Sequence, residues 1–463
     1  MKVLLIFPAQ YTRLAYVPLL NRMPPLSIYY LSAILRSKGI ETKIIEPFHF
    51  YQDKIFDIES ISLIIKQLLG EKFDAVALSS NTANWSVTKA VIELVKEAAP
   101  EVPVIVGGVH AHYFDEYMLR NAQADIVVRG EGEEALPRVL EARSDKDALK
   151  KIDGISFLDH DGTYVRRPDA PLLSCEALSA YPDPDLHLIP KGVYDMIPVE
   201  TSRGCKFSCL FCSVPHRKTW RPLSKENLIG KLSAVQRLFD DNTIIGNSVY
   251  FVDDCFSADT ERAADILHTL GQSAFNLQYG LECRVTDLLY KRFGEHIPDD
   301  LIDFMQIGVE LGYNEGLKTI RKGVSVEEIE KCARLLHTSR LVGKAFYSFI
   351  LGFPWEDKHD IMKTVNFFGM LGLRYGIRSS VSWLALFPSD LWLQKEQYGI
   401  KFDETLFADH FWPSREELFF SMHPRISLDD VEEIEALIHG YQSQGVEIGY
   451  YSSSDKPGKI FRP

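Results

Sequence analysis

Short, almost wholly apolar runs alternate with amphipathic stretches over the first third of the chain. Residues 2–7, 42–46, 74–78, 104–106 and 125–128 have the length and continuity of strands buried on both faces. Between them, residues 26–37 and 86–98 repeat apolar positions at helical spacing. Pro24-Pro25 stands where the first helix should begin, and Gly39 where it should stop. The alternation predicts an α/β domain over residues 1–144, a flavodoxin-like (Rossmann-like) doubly wound parallel sheet. Its ligand site is expected beyond the carboxyl ends of the strands.

The pattern then changes. Residues 145–195 are rich in Asp, Pro and Leu, and include Tyr181-Pro182-Asp183-Pro184-Asp185. They read as a linker with a short hairpin at 154–158 and 162–165. Strand-like runs return at 199–202, 248–252, 277–282, 304–310, 345–351 and 380–386. Six strand–helix units predict a partial (β/α)6 barrel of TIM type over residues 196–390, with its chemistry at the carboxyl ends of the strands. Beyond 390 the chain turns aromatic and amphipathic: Leu391-Trp392-Leu393, Phe411-Trp412-Pro413, Phe419-Phe420, then a helix over 427–442. Residues 391–463 are expected to form a small helical cap, which either shapes a substrate pocket or only closes the open barrel edge. From Tyr450-Tyr451 onward the chain reads as a loose or docked tail.

The strand ends carry the candidate chemistry. In the first domain the loops are Ser79-Ser80-Asn81-Thr82, Gly107-Gly108-Val109-His110 and Gly130-Glu131-Gly132-Glu133. Glycines let a bulky ligand approach the backbone, and the hydroxyls of Ser79, Ser80 and Thr82 can donate to a phosphate or amide. Taken singly, each glycine pair is explained as well by a tight strand-to-helix turn. His110 and His112 flank one loop, and a lone histidine is more often a hydrogen-bonding residue than a ligand. In the second domain the strand ends bring Asp253, Asp254, Glu282, Arg284, Glu310, Gly352 and Pro354. Carboxylates, an arginine and close-approach backbone suit a zwitterion, a ribose diol and a purine. Solvated strand ends are the bland alternative for the acids.

Composition narrows the class. A length of 463 residues implies two or three domains, and 46% hydrophobic with 25% charged residues is ordinary for a soluble globular protein. A net charge of -13 argues against a nucleic-acid backbone or an anionic membrane as principal partner. The apolar N-terminal run ends at Pro8, lacks a small-residue cleavage site and is too short to span a bilayer. A cytoplasmic location, where thiols stay reduced, is the expectation.

Cysteine spacing is the sharpest signal. Cys205, Cys209 and Cys212 fall within eight positions, as Cys-x-x-x-Cys-x-x-Cys. Thiolates select soft metals, and local cysteine runs of this kind hold iron–sulfur clusters. Three thiolates on a four-iron cube leave one iron open to another ligand. A zinc site completed by His216 is a weaker alternative, and a disulfide weaker still. Cys175, Cys255, Cys283 and Cys332 are scattered and read as small buried hydrophobes.

With Phe211 before the last cysteine and Ser202-Arg203-Gly204 ahead of the first, the motif resembles that of the radical S-adenosylmethionine (SAM) superfamily. The resemblance implies a 4Fe–4S cluster on Cys205, Cys209 and Cys212 whose open iron chelates SAM, and cleavage of SAM to a 5′-deoxyadenosyl radical. The stretches at 306–312 and 349–354 look like SAM-binding segments of that superfamily. They imply Glu310 at the ribose or amino group and Gly352 to Pro354 against adenine, with Asp253 and Asp254 where many members grip the SAM amino group. The three N-terminal loops and Pro24-Pro25-Leu26 resemble the cobalamin-binding domain of class B radical SAM methyltransferases. Ser79, Ser80, Thr82, Gly107, Gly108, Val109, His110, Gly130, Glu131, Gly132 and Glu133 would then face cobalamin. No Asp-x-His-x-x-Gly motif follows the first strand, where the loop reads Ala9-Gln10-Tyr11-Thr12-Arg13, so no histidine lower ligand is expected.

The whole implies a cobalamin-dependent radical SAM C-methyltransferase working without oxygen on a small-molecule or peptide substrate. An electron donor such as flavodoxin or ferredoxin would serve it. The same architecture could run a non-methylating rearrangement, cyclisation or oxidation. A non-enzymatic iron–sulfur carrier or sensor is the alternative of another class.

Overall fold

A computed structural model gives the fold and describes residues 1–9, 22–52, 55–56, 58–214, 216–401, 403, 405 and 416–451. Most of the loop after the first strand, Phe411-Trp412-Pro413 and the tail from 452 lie outside them. The chain divides into two compact units, one built on Met1–Pro198 with Glu226–Gly246, the other on Val199–Lys225 with Asn247–Phe402 and the C-terminal residues.

The first unit is a seven-stranded sheet. Its strands are β1 (Lys2–Ile6), β2 (Glu41–Ile45), β3 (Ala75–Ser79), β4 (Val104–Gly107), β5 (Ile126–Val128), β6 (Ile155–Leu158) and β7 (Tyr164–Arg166), in the order β2-β1-β3-β4-β5-β6-β7. The five N-terminal strands are parallel. Order 2-1-3-4-5 is that of a flavodoxin-like sheet, whose ligand crevice opens where the winding reverses between β1 and β3. Val3, Leu5, Ala75, Ala77, Ile105 and Ile126 of the sheet pack with Leu35, Leu136, Val139 and Leu140 of the helices. Pro25 caps the helix Leu26–Ser37, and Gly39 leaves it at φ +76°.

Residues 145–195 do more than link. β6 and β7 continue the sheet antiparallel, and Ile155 and Phe157 are wholly buried. Polar residues fix this hairpin. The buried Asp115 carboxylate accepts from Tyr164 Oη at 2.7 Å, and Arg129 donates to Ser156 Oγ at 3.1 Å.

A second sheet is wound in chain order: β8 (Met196–Val199), at the boundary of the units, then in the second unit β9 (Ser248–Phe251), β10 (Gln278–Arg284), β11 (Ile302–Glu310), β12 (Ala345–Leu351), β13 (Arg378–Trp383) and β14 (Ile448–Tyr451). From β9 to β14 every pairing is parallel, the winding of a TIM-type barrel. One face meets helices. Tyr347 Oη donates to Ile329 O in Val326–His337 at 3.3 Å, and Phe349 packs on Phe368 in Lys358–Tyr375 at 5.3 Å between centroids. Strand alternation turns Glu282, Gln306, Gly308 and Ser348 to the other face, in register on β10, β11 and β12.

The C-terminus departs from expectation. Tyr450 and Tyr451 belong to β14, a seventh strand, where a loose or docked tail was expected. Trp383 Nε1 donates to Tyr450 Oη at 2.7 Å, and that hydroxyl donates to Glu435 at 2.6 Å. The helix Leu428–Ser443, capped by Ser427, lies against Lys358–Tyr375, where Tyr441 donates to Asn366 at 2.8 Å. This helix joins the helical layer and closes the fold.

Candidate active site

The three cysteines sit on one loop closed at its base by a two-stranded pairing of Ser202–Arg203 with Arg221–Pro222. Gly204 opens the loop at φ +82°, where a Cβ would overlap the Thr219 carbonyl oxygen. Only glycine fits there. Asp253, 1% exposed, accepts from Thr201 N at 2.7 Å, Ser202 N at 3.0 Å and both hydroxyls. Both its oxygens are therefore committed to the strand that leads into the loop. The reading of Asp253 as a grip on a ligand's amino group gives way to a structural one; its neighbour Asp254 keeps solvent-accessible surface.

Two more contacts pin the loop. Leu210 N donates to Ile320 O at 3.0 Å, and Leu391 N to Leu210 O at 2.9 Å. Arg217 reaches Cys209 O at 3.2 Å and Asp390 at 2.7 Å, while Arg321 takes the other oxygen of Asp390 at 3.3 Å. Lys206 lies 4.2 Å from the Trp220 ring centroid.

Cys205, Cys209 and Cys212 are free thiols, partly buried. Desolvation pushes Cys212 up to about 11 and raises Cys205, and charge on the neighbouring cysteines and on Asp254 adds to both. Burial of the Cys205 and Cys212 thiols disfavours their thiolates, and a bound metal relieves that cost. Among the described residues no three His, Cys, Asp or Glu side chains converge on a single metal ion. A cube whose irons each take a different thiolate requires no such convergence, so the donor set fits a cluster better than zinc.

Strand ends complete the site. Glu310, 7% exposed, ends β11 at φ +76°, an uncommon conformation for a residue with a Cβ, where β11 slips register against β12. Its carboxylate meets Lys322 Nζ at 2.8 Å. The guanidinium of Arg284 bonds the Lys322 carbonyl and lies 3.5 Å from the Phe207 ring centroid. Tyr250 donates to Glu282, whose carboxyl desolvation lifts to about 7 against that bond. Desolvation first, then Asp253 and Glu200, push Asp254 up to about 6.

Gly352, at φ +80°, has Trp383 and His423 each 2.7 Å from where a Cβ would stand. Phe353 lies edge-on to Phe211 at 5.7 Å, Pro354 is buried, and Glu356 accepts from Phe353 N at 2.7 Å and Tyr313 Oη at 3.0 Å. Sequence reasoning missed Lys322, Arg217, Asp390, His423 and Glu356. Only for Lys322 was there a signal: a buried Glu310 demands a cation.

In the first unit, the pairing of Ser79 with Gly107 sets two of the expected loops side by side. Ser80 and Thr82 turn inward. Ser80 Oγ donates to Asn84 at 3.2 Å and accepts from Thr88 at 3.1 Å, and Thr82 Oγ1 bonds His110 Nδ1 at 3.1 Å. His110 is wholly buried, stacked on Trp85, and burial holds it down at about 3. Gly108, at φ +97°, is glycine because a Cβ would overlap the backbone of Ser80. Val109 begins the helix Val109–Asn121. Glu131 accepts from Leu173 N at 2.7 Å, and Gly132 and the buried Glu133 begin the helix Gly132–Ala142. At Gly130, φ +81°, a Cβ would meet nothing within 4 Å. The described loops thus offer a flat ligand bare backbone at Gly130, whereas a Cβ at Gly107 would already touch Val128 and the His110 imidazole is wholly buried.

Cys255, Cys283 and Cys332 are buried as expected, whereas Cys175 begins a short helix and is only half-buried. Among the described residues no helix is long and apolar enough to cross a membrane.

Comparison with known proteins agrees with this division. A B12-binding domain model matches residues 13–140 and a Radical SAM superfamily model residues 199–368. The chain is 29% identical over 386 residues to a protein of Pyrococcus horikoshii named "Uncharacterized methyltransferase", covering 81% of this chain and 79% of that one. It is 24% identical over 371 residues to the anaerobic magnesium-protoporphyrin IX monomethyl ester cyclase of Cereibacter sphaeroides, covering 74% of this chain and little more than half, 55%, of the cyclase. Among solved structures, the radical SAM methyltransferase TsrM from Kitasatospora setae, with cobalamin and a [4Fe-4S] cluster bound, superposes with TM-score 0.66 at 16% identity, covering 87% of this chain and 76% of that one. The chain thus has an N-terminal B12-binding domain, built here on a doubly wound 2-1-3-4-5 sheet, and a radical SAM domain, built on a parallel barrel sheet that carries the three-cysteine loop.

Proposed function

We propose that the protein is a cobalamin-dependent radical SAM methyltransferase acting on an unactivated carbon. The observation that carries this reading is the placing of Cys205, Cys209 and Cys212 on one pinned loop, with the Cys205 and Cys212 thiols desolvated, in a chain that also has a B12-binding domain. When bound, the cluster would supply the electron that cleaves SAM, and methylcobalamin the methyl group. The chain's own part is placement. Cys205, Cys209 and Cys212 would hold the cluster, and Gly130 would admit the corrin against bare backbone. Glu310 and the Gly352–Pro354 segment would hold the ribose and adenine ends of SAM. Arg217 and Asp390 keep the thiol loop rigid.

A small-molecule or peptide substrate and an external electron donor such as flavodoxin or ferredoxin follow from the same reading. The similarity to a cyclase favours one second reading, a radical ring closure without methyl transfer. Products separate them. Anaerobic enzyme with reconstituted cluster and cobalamin should yield S-adenosylhomocysteine together with 5′-deoxyadenosine if it methylates, and 5′-deoxyadenosine alone if it cyclises. Cys205→Ala, Cys209→Ala and Cys212→Ala should each lower SAM cleavage at least a thousandfold. An electron carrier would cleave no SAM.

A further inference from the structure

Glu310 occupies a backbone conformation that side chains resist, at the register slip that ends β11. Something must hold it there. Lys322 Nζ lies 2.8 Å from its carboxylate, and the two side chains are 8% and 9% exposed. Gly308 leaves the space for that pair: a Cβ at 308 would stand 2.8 Å from both Glu310 Oε1 and Lys322 Nζ. The turn that carries Lys322 also touches the thiol loop. Ile320 O accepts from Leu210 N at 3.0 Å, and the Lys322 carbonyl accepts from Arg284, whose guanidinium covers Phe207.

We propose that Lys322 is a positioning residue with two effects: it fixes the Glu310 carboxylate for SAM, and it places a buried positive charge on the turn bonded to the thiol loop, which raises the reduction potential of the cluster. The inference rests on the radical SAM reading of the site. Burial opposes the Lys322 charge, while Glu310 and then Cys209 favour it. Asp254 acts in the opposite sense on Cys205 and Cys212. A cluster gaining an electron is stabilised by a nearby cation in a dry site and destabilised by a nearby anion. A charge imbalance in the Lys322–Glu310 pair should therefore appear in the potential, with a sign set by which partner remains.

The test is an EPR-monitored redox titration of the anaerobic holoenzyme at pH 7.5, in wild type, Lys322→Gln, Lys322→Arg and Glu310→Gln, with S-adenosylhomocysteine affinity measured alongside. Lys322→Gln should shift the midpoint to more negative potential and Glu310→Gln to more positive. Lys322→Arg should stay near wild type. Both glutamine variants should bind S-adenosylhomocysteine at least tenfold more weakly. A merely structural pair would weaken binding without the opposed shifts, so shifts of one sign, or none, in variants with full iron content overturn the proposal. Should a glutamine variant fail to fold, Lys322→Arg against Gly308→Ala gives the same decision: the alanine, which forces the pair apart, must move the midpoint and the arginine must not. Wild-type protein that takes up no cluster would instead refute the radical SAM reading itself.

Discussion

Gly204 shows how much of the site rests on single residues. Its φ of +82° and the Thr219 carbonyl facing it exclude any side chain. Gly204→Ala should cost about 1–3 kcal/mol locally and lower iron and sulfide content after reconstitution, while a substitution at exposed Gly399 should not. Glu356 carries a pH dependence. Desolvation raises its carboxyl from the usual range to about 8, so the folded protein binds a proton that the unfolded chain releases near 4.5. Its contribution is present below pH 4.5 and lost as pH rises through about 8. Wild type should therefore lose more thermal stability than Glu356→Gln between pH 5 and pH 8.5, by on the order of a few kcal/mol. An equal loss would contradict the assignment. At this scale the cysteines were legible because their spacing is chemistry in itself. Asp253 was misread because sequence shows that a carboxylate stands at a strand end, not that Thr201 and Ser202 already occupy it.

Elements were legible where local signals bracket them. Helix Leu26–Ser37 came out with the bounds expected, because Pro25 and Gly39 leave it no freedom at either end. The hairpin of β6 and β7 was legible too, though not its place in the sheet; β14 was not, since a four-residue strand such as Ile448–Tyr451 has no period to detect and owes its conformation to a distant partner. The same dependence on distant partners governs the thiol loop. Asp390, at the start of the short helix Asp390–Leu393, ties Arg217 and Arg321 together, all three side chains keeping some exposure to solvent. Pairs of that exposure are worth only about 0–1 kcal/mol each. Asp390→Ala should thus leave the thermal midpoint nearly unchanged, yet speed iron loss to a chelator several-fold. A large fall in stability with unchanged iron release would show that the clamp serves the fold and not the loop.

For the whole molecule, two sheets with ligand-facing strand ends account for two cofactors better than either sheet alone. Both windings could be read from alternating runs, because parallel strands are apolar throughout and their crossovers are long. What the sequence leaves open is the substrate, since the face of the barrel sheet opposite its helices is assembled from residues on separate strands. The most direct test is to incubate oxygen-protected holoenzyme, loaded with iron, sulfide and cobalamin, with SAM and a reductant, and to quantify adenosyl products. The wild type should release 5′-deoxyadenosine, joined by S-adenosylhomocysteine when the substrate is present, and Cys209→Ala should release neither. A colourless protein holding zinc on these thiols, with SAM left whole, would contradict the radical SAM reading.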